Sequence, residues 1–208
     1  MTPSLPEHLR AWEEEYREKG RLWKGAPPPM PDLPPGSRVL ELGCGNGKTL
    51  SAILRRPWQT TALDVSKEAV RLCRKQAASP ARLLTADACN LPFRDAVFDA
   101  VFAFHVMGHL PEQDRRRMAS EAARVLRSGG SLFFLGFGID DMRSRKGDPV
   151  EERTFRRGRG ILTHYFTQEE VIGLFEGLRL VSVRTDVRTT RIRGRDHLRS
   201  EVTAVFVG

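Results

Sequence analysis

Val39-Leu40-Glu41-Leu42-Gly43-Cys44-Gly45-Asn46-Gly47 is the stretch on which the fold turns. A short apolar run leads into glycines at alternate positions, and helical spacing follows over 47–56. An apolar run of this length ending in glycine reads as a buried strand. Glycine permits positive φ and lets the backbone approach a ligand closely. A helix start presents free N–H groups. Strand, glycine turn and helix start together make a nucleotide-type cradle at the carboxyl edge of a first strand. A tight strand-to-helix turn with no ligand is the plainer reading, and three alternating glycines weigh against it.

The same alternation continues outward. After the first strand at 38–42, apolar runs predict strands at about 59–64, 81–86, 97–104 and 130–137, with helical spacing at 66–77 and 113–127. The last of these helices carries a stripe of Met118, Ala122, Val125 and Leu126, and Ser128-Gly129-Gly130 is expected to stop it. Strand and helix in turn predict parallel βαβ units, hence an α/β fold with helices on both faces of the sheet. Thr167-Gln168-Glu169-Glu170 is a capping box, with Val171, Leu174 and Phe175 as the apolar stripe behind it. Two final strands, about 178–185 and 202–207, leave no room for a crossover helix and are expected to be antiparallel neighbours at the sheet edge.

Residues 1–26 read as an amphipathic helix bearing Trp12, Tyr16 and Trp23. The proline-rich run from Pro27 to Gly36 can be neither helix nor central strand. The expected organisation is therefore a helical arm and Pro-rich connector over 1–35 and one domain over 36–208. Segment 138–164 shows no apolar periodicity and predicts a long loop above the fifth strand, over the site.

The sequence of 208 residues suffices for one buried core. No stretch approaches the ~20 apolar residues that span a bilayer, and the first fifteen residues hold four acids and no apolar run, so no secretory leader is expected in them. Cys44, Cys73 and Cys89 have no metal-like spacing; they read as reduced thiols of a cytoplasmic protein, with no metal site expected. The net charge of +8 admits an acidic partner such as RNA. Of the 34 basic residues 28 are arginine, spread along most of the chain, so a general preference for Arg over Lys explains the excess equally well.

Two further acids stand at strand ends. Asp64, in Leu63-Asp64-Val65-Ser66, follows the glycines by ~20 residues, where a carboxylate accepts both hydroxyls of a ribose; its plainer role is a helix N-cap. Asp87, in Ala86-Asp87-Ala88, can accept from an adenine amine. These segments, with Glu41-Leu42-Gly43-Cys44-Gly45-Asn46-Gly47, Ala86-Asp87-Ala88-Cys89-Asn90-Leu91-Pro92-Phe93, Phe98-Asp99-Ala100-Val101 and Arg124-Val125-Leu126-Arg127-Ser128-Gly129-Gly130, resemble successive motifs of the class I S-adenosylmethionine (SAM)-dependent methyltransferases. The likeness is greatest to the group containing ubiquinone- and menaquinone-biosynthesis enzymes and many unassigned prokaryotic members. It covers about residues 36–137 in order and continues loosely to the end of the chain.

The resemblance implies a Rossmann-like, seven-stranded, mostly parallel sheet with a C-terminal antiparallel hairpin, and SAM as cofactor. By position, Gly43, Cys44, Gly45 and Gly47 would approach the methionine part of SAM, with Glu41 supporting that turn. Asp64 would hold the ribose, Val65 would pack on the adenine, and Asp87 and Ala88 would read the adenine edge. Phe104 and His105, at the end of the fourth strand, would border cofactor and acceptor.

SAM brings its own reactive methyl group, so alignment and exclusion of water carry much of the catalysis. Where the acceptor carries a proton, His105 and His109 are the candidate bases, and His164 stands where it could swing over the site. The fourth strand does not end in Asn-Pro-Pro-Tyr or Asp-Pro-Pro-Tyr, which speaks against adenine or glutamine amide as acceptor, and no Pro-Cys pair marks cytosine C5 chemistry. A small-molecule acceptor is the first reading. RNA or protein as acceptor, with a partner subunit, is the second. It is motivated by the basic loop at 143–159, which is broken by Asp148, Glu151 and Glu152 and holds only Phe155 as an aromatic. This loop and a second basic cluster at 184–199 read as a solvated face or internal ion pairs, with an anionic small substrate or a tRNA as the alternative. An NAD(P)-dependent oxidoreductase is disfavoured because Lys48 stands where G-x-G-x-x-G requires its third glycine. A non-catalytic SAM-binding module remains the fourth.

Overall fold

The computed structural model of the chain describes residues 7–20, 26–76 and 81–208. Helix α1 (Glu7–Lys19) precedes an irregular proline-rich connector, and the chain then enters β1 (Arg38–Leu42). Next come α2 (Leu50–Ile53), β2 (Gln59–Asp64), α3 (Lys67–Gln76), β3 (Arg82–Thr85), β4 (Phe98–Phe104), α4 (Glu112–Val125) and β5 (Leu126–Phe137). Three short strands, β6 (Asp148–Glu151), β7 (Thr154–Arg157) and β8 (Ile161–His164), lead to α5 (Gln168–Leu174), β9 (Arg179–Ile192) and β10 (Arg195–Val207).

The main sheet has the order β3-β2-β1-β4-β5-β10-β9. Its first five strands are parallel, and β10 runs antiparallel to both β5 and β9. This is the expected seven-stranded Rossmann-like sheet with a C-terminal hairpin. Leu40, Leu42, Val101 and Ala103 point to the face covered by α4 and α5, where Met118, Ala122, Val171 and Phe175 join the same cluster. Val39, Ala100 and Phe102 point to the other face, against Ile53. Both faces are covered, so the strand sequences read as continuous apolar runs. The order reverses between β1 and β4, which opens a crevice at their carboxyl ends.

Several elements depart from the sequence reading. The helix expected over 47–56 keeps only four α-helical residues, because turns close it before Pro57, and a proline disfavours helix in the residue before it. The helix expected to stop at 128–130 ends at Val125, and Leu126 is buried as the first residue of β5. Segment 138–164 is more than a loop: β6, β7 and β8 form a separate antiparallel sheet. Its order comes from backbone pairing and polar contacts, and Val150 is exposed, so no apolar period announces it. The final strands are longer than expected, because an exposed arginine-rich hairpin extends them to a tight turn at Arg193 and Gly194, both at positive φ.

Helix α1 packs Trp12 and Tyr16 against Ala69 and Leu72 of α3 and Ile161 of β8. Glu13 fixes its position by accepting from Ser66 Oγ at 2.7 Å and from the Glu68 N–H at 3.2 Å, the start of α3. Glu18 pairs with Arg159. Trp23, the third aromatic residue of the arm, lies outside the described residues. No described helix is long and apolar enough to cross a membrane.

Candidate cofactor and acceptor site

A cavity of about 530 Å³ opens at the carboxyl edge of the main sheet. Glu41, Gly43, Cys44 and Gly45 line it from β1 and the turn beyond. Asp64 and Val65 enter from the end of β2, Asp87 and Ala88 from beyond β3, and Phe104 and His105 from the end of β4. His109 and the α1 residues Leu9, Trp12 and Tyr16 complete one wall. Of the positions expected at the cofactor, Gly47 alone is not among the lining residues.

The glycine turn has two kinds of constraint. Gly43 has φ +69°, and a Cβ there would lie 2.5 Å from Val106 Cγ2, so the turn seats tightly on the loop after β4. Gly47 has φ +83°, and its Cβ would meet Cys73 Sγ of α3 at 3.3 Å. Its N–H donates to the Cys44 carbonyl at 2.9 Å. Gly47 therefore shapes the turn from behind and leaves the ligand-facing surface to Gly43, Cys44 and Gly45.

Two buried carboxylates face this turn. Asp64 accepts from the Gly45 N–H and from the Ser66 N–H, each at 2.9 Å, which ties β2 to the glycine turn. Burial pushes its carboxyl up to about 6 against these hydrogen bonds. Glu41 accepts from the Leu50 N–H, yet its Oε2 is buried with no hydrogen-bond partner. Burial, then repulsion from Asp64, raises Glu41 to about 8. A buried orphan oxygen lining a cavity suits a ligand that brings a cation or a donor. Asp87 Oδ1 accepts from the Cys89 N–H at 2.8 Å and so fixes its own turn, while Val65 and Ala88 present apolar surface beside it. An ammonium group, a ribose diol and a flat base thus have complementary surfaces here.

The opposite end of the cavity differs in character. His105 sits at φ +54°, a left-handed conformation that is strained for histidine. Its ring lies 4.5 Å from that of Phe137, and its Nε2 is 3.5 Å from Glu201 Oε1 of β10. His105 Nδ1 is buried without a partner, and burial, then neighbouring His109, then Lys48, Arg143 and Arg199, lowers the imidazole to about 3. His109 is held by a 2.7 Å hydrogen bond from Nδ1 to the Leu162 carbonyl of β8 and packs edge-on against Trp12. That bond assigns the proton to Nδ1, and burial lowers the ring to about 4.

His164 does not swing over the site. It is buried, with Nδ1 at 2.7 Å from Thr154 Oγ1 and Nε2 at 2.9 Å from Glu170 Oε2. Glu170 also pairs with Arg115, which in turn pairs with Glu151. This network fastens the small β6–β8 sheet to α4 and α5. Sequence reading misses Phe137 and Glu201. The alternation Arg199, Glu201 on one face of a strand was the available signal, but nothing local shows that this face looks into a cavity. Among the described residues no group of three His, Cys, Asp or Glu side chains is placed to hold a metal ion.

This fold, with a glycine turn after β1 and acids closing β2 and β3, defines a SAM-binding α/β domain. Residues 40–134 match the family described as methyltransferase domain, and the fold around them is that of the SAM-dependent methyltransferases. Its cofactor is SAM. Among curated proteins, a tRNA (carboxymethyluridine(34)-5-O)-methyltransferase of Arabidopsis thaliana is 36% identical over 49% of this chain and 24% of its own length. A phthiotriol/phenolphthiotriol dimycocerosates methyltransferase of Mycobacterium leprae is 37% identical over 48% of this chain and 37% of the relative. The chain thus spans roughly a quarter to just over a third of these relatives' length. A solved SAM-dependent methyltransferase of Methanosarcina mazei superposes with TM-score 0.70 at 25% identity, covering 84% of this chain and 94% of that one.

Proposed function

We propose that the chain transfers a methyl group from SAM to a small-molecule acceptor seated between the cofactor and the wall formed by His105 and Phe137. The observation that carries this reading is the single cavity that unites the glycine turn, Asp64 and Asp87 with His105 beneath helix α1. SAM, when bound, would supply an electrophilic methyl group on a sulfonium.

The residues of the chain bind and align. Asp64 and Gly45 would hold the ribose side of SAM, Glu41 would meet the ammonium of its methionine part, and Val65 and Ala88 would flank the adenine. Leu9, Trp12 and Tyr16 exclude water from above. His105 is held neutral, so it is in the form that accepts a proton. Its low basicity fits a late proton transfer from an O–H acceptor, whose oxygen becomes strongly acidic once it carries the methyl group, so that a weak base then suffices. Burial and the Leu162 contact suit His109 to shaping the wall. The free thiols of Cys44, Cys73 and Cys89 suit the reducing cytoplasm.

A second reading, RNA as acceptor with a partner subunit, draws support from the relatives named as tRNA methyltransferases. A structural neighbour solved as a complex with the Haloferax volcanii Trm112 activator, at 20% identity, shares the fold. The experiment is calorimetric titration with SAM, followed by release of S-adenosylhomocysteine in the presence of small-molecule and RNA acceptor sets. SAM binding with turnover on a small molecule supports the first reading. Turnover on RNA alone, with salt-sensitive retention, supports the second. No SAM binding overturns both.

A further inference from the structure

Resting on the reading of the cavity as a methyltransferase site, we infer that its acceptor end is a built anion subsite, and that the acceptor is a small molecule bearing a carboxylate or phosphate gripped by Arg143, Arg188 and Arg199. All three arginines line the cavity together with His105. The sheet order explains their arrangement. From the cofactor side the strand ends run β2, β1, β4, β5, β10, β9, so Asp64 lies on one flank and Arg199 and Arg188 on the other.

The arrangement is costly without a ligand. Arg188 and Arg199 are direct cross-strand partners in the β9–β10 ladder, and like charges placed opposite each other destabilise a sheet. Arg143 and Arg199 share one carboxylate: Asp141, with no exposed side-chain surface, accepts from Arg143 Nε at 2.7 Å and from Arg199 Nε at 2.8 Å. Both arginine side chains are about three-quarters buried, and both lie over the Phe137 ring, at 3.9 and 5.7 Å. Arg188 pairs with Glu201, which also faces His105. At this end of the cavity three guanidinium groups therefore meet two carboxylates. The histidines lining the cavity stay neutral and add no charge. One unbalanced, preoriented cation remains where the acceptor must lie, which is how planar anions are recognised.

The enclosure favours a small anion over a nucleic-acid backbone. A phosphodiester chain needs an open basic groove with stacking aromatics. Here α1 closes over the cavity, and Arg143 and Arg199 sit inside it.

The test is calorimetric titration of inorganic phosphate, then benzoate, into the full chain saturated with S-adenosylhomocysteine. Wild type is compared with Arg199→Lys, Arg188→Gln and, as control, Arg184→Gln on the same strand but outside the lining. Arg188 is more than half exposed, so its replacement leaves the fold standing even if Arg199→Lys does not. At least one anion is expected to bind the wild type, with affinity weakened about tenfold in Arg188→Gln and unchanged in Arg184→Gln. No binding of either anion to a chain that does hold S-adenosylhomocysteine overturns this inference alone. Equal weakening by the control overturns it as mere surface charge. Displacement of the bound anion by micromolar unfractionated tRNA overturns the small-molecule form. Failure to bind S-adenosylhomocysteine overturns the cofactor reading beneath it as well.

Discussion

Asp64 Oδ2 accepts the Gly45 N–H at 2.9 Å, joining the tip of β2 to the glycine turn after β1. One carboxylate therefore holds the cradle closed from within and faces the cavity. Asp64→Ala is expected to weaken S-adenosylhomocysteine binding at least about tenfold, since hydrogen bonds to a charged group are lost. Calorimetry checks this. Asp64→Asn should fall between, because an amide oxygen can still accept one of the two N–H groups. Unchanged affinity in the alanine variant would remove Asp64 from the site.

Gly43 has both a positive φ and no room for a Cβ against Val106. Gly43→Ala is expected to cost about 1–3 kcal/mol from the backbone alone, with the clash added. Thermal unfolding measures it. Val106→Ala in the same chain should recover only part of the loss, because Val106 Cβ itself would lie 2.8 Å from the new carbon. A stable Gly43→Ala with full ligand affinity would contradict the packing described.

The buried acids and histidines give stability two opposed pH arms. Glu41 has its folded value raised from 4.5 to about 8, so the folded state binds the proton more tightly. That favours folding at lower pH and is lost as pH rises towards about 8. His109 is lowered from 6.5 to about 4, so the unfolded state takes up the proton first and stability falls as pH drops through that window. Ligand-free protein should therefore lose Tm between about pH 6.5 and pH 8, where the histidine arm is already complete, and Glu41→Gln should lose less of it. Parallel Tm profiles of wild type and Glu41→Gln would show that Glu41 is not buried as a neutral acid.

Arg115 is nearly fully buried between Glu151 and Glu170, and Glu170 also accepts from His164. Glu170→Ala leaves a buried guanidinium short of a partner, which costs about 3–5 kcal/mol. Denaturant unfolding reads this. The hydrogen bond with His164 and the arginines nearby outweigh burial and hold Glu170 below the usual carboxylate range, so its contribution is present above that range and lost in acid. A loss below about 1 kcal/mol would place the network among weak surface pairs.

The sequence by itself determined the parallel core and the residues that line the cavity around the glycine turn. That information is local: an apolar run fixes a strand covered on both faces, alternating glycines fix a turn, and an acid at a strand end must lie at the carboxyl edge of the sheet. Ten of the thirteen positions it singled out need no distant partner to be recognised, Glu41 to Phe104 among them. Only the tertiary structure decided the opposite end of the cavity. Phe137, Arg143, Arg188, Arg199 and Glu201 come from three strand ends and one loop, and their meeting depends on β10 inserting between β5 and β9. The β6–β8 sheet was equally hidden, because it is held by the His164, Glu170 and Arg115 contacts, and polar contacts between distant residues leave no period in a chain.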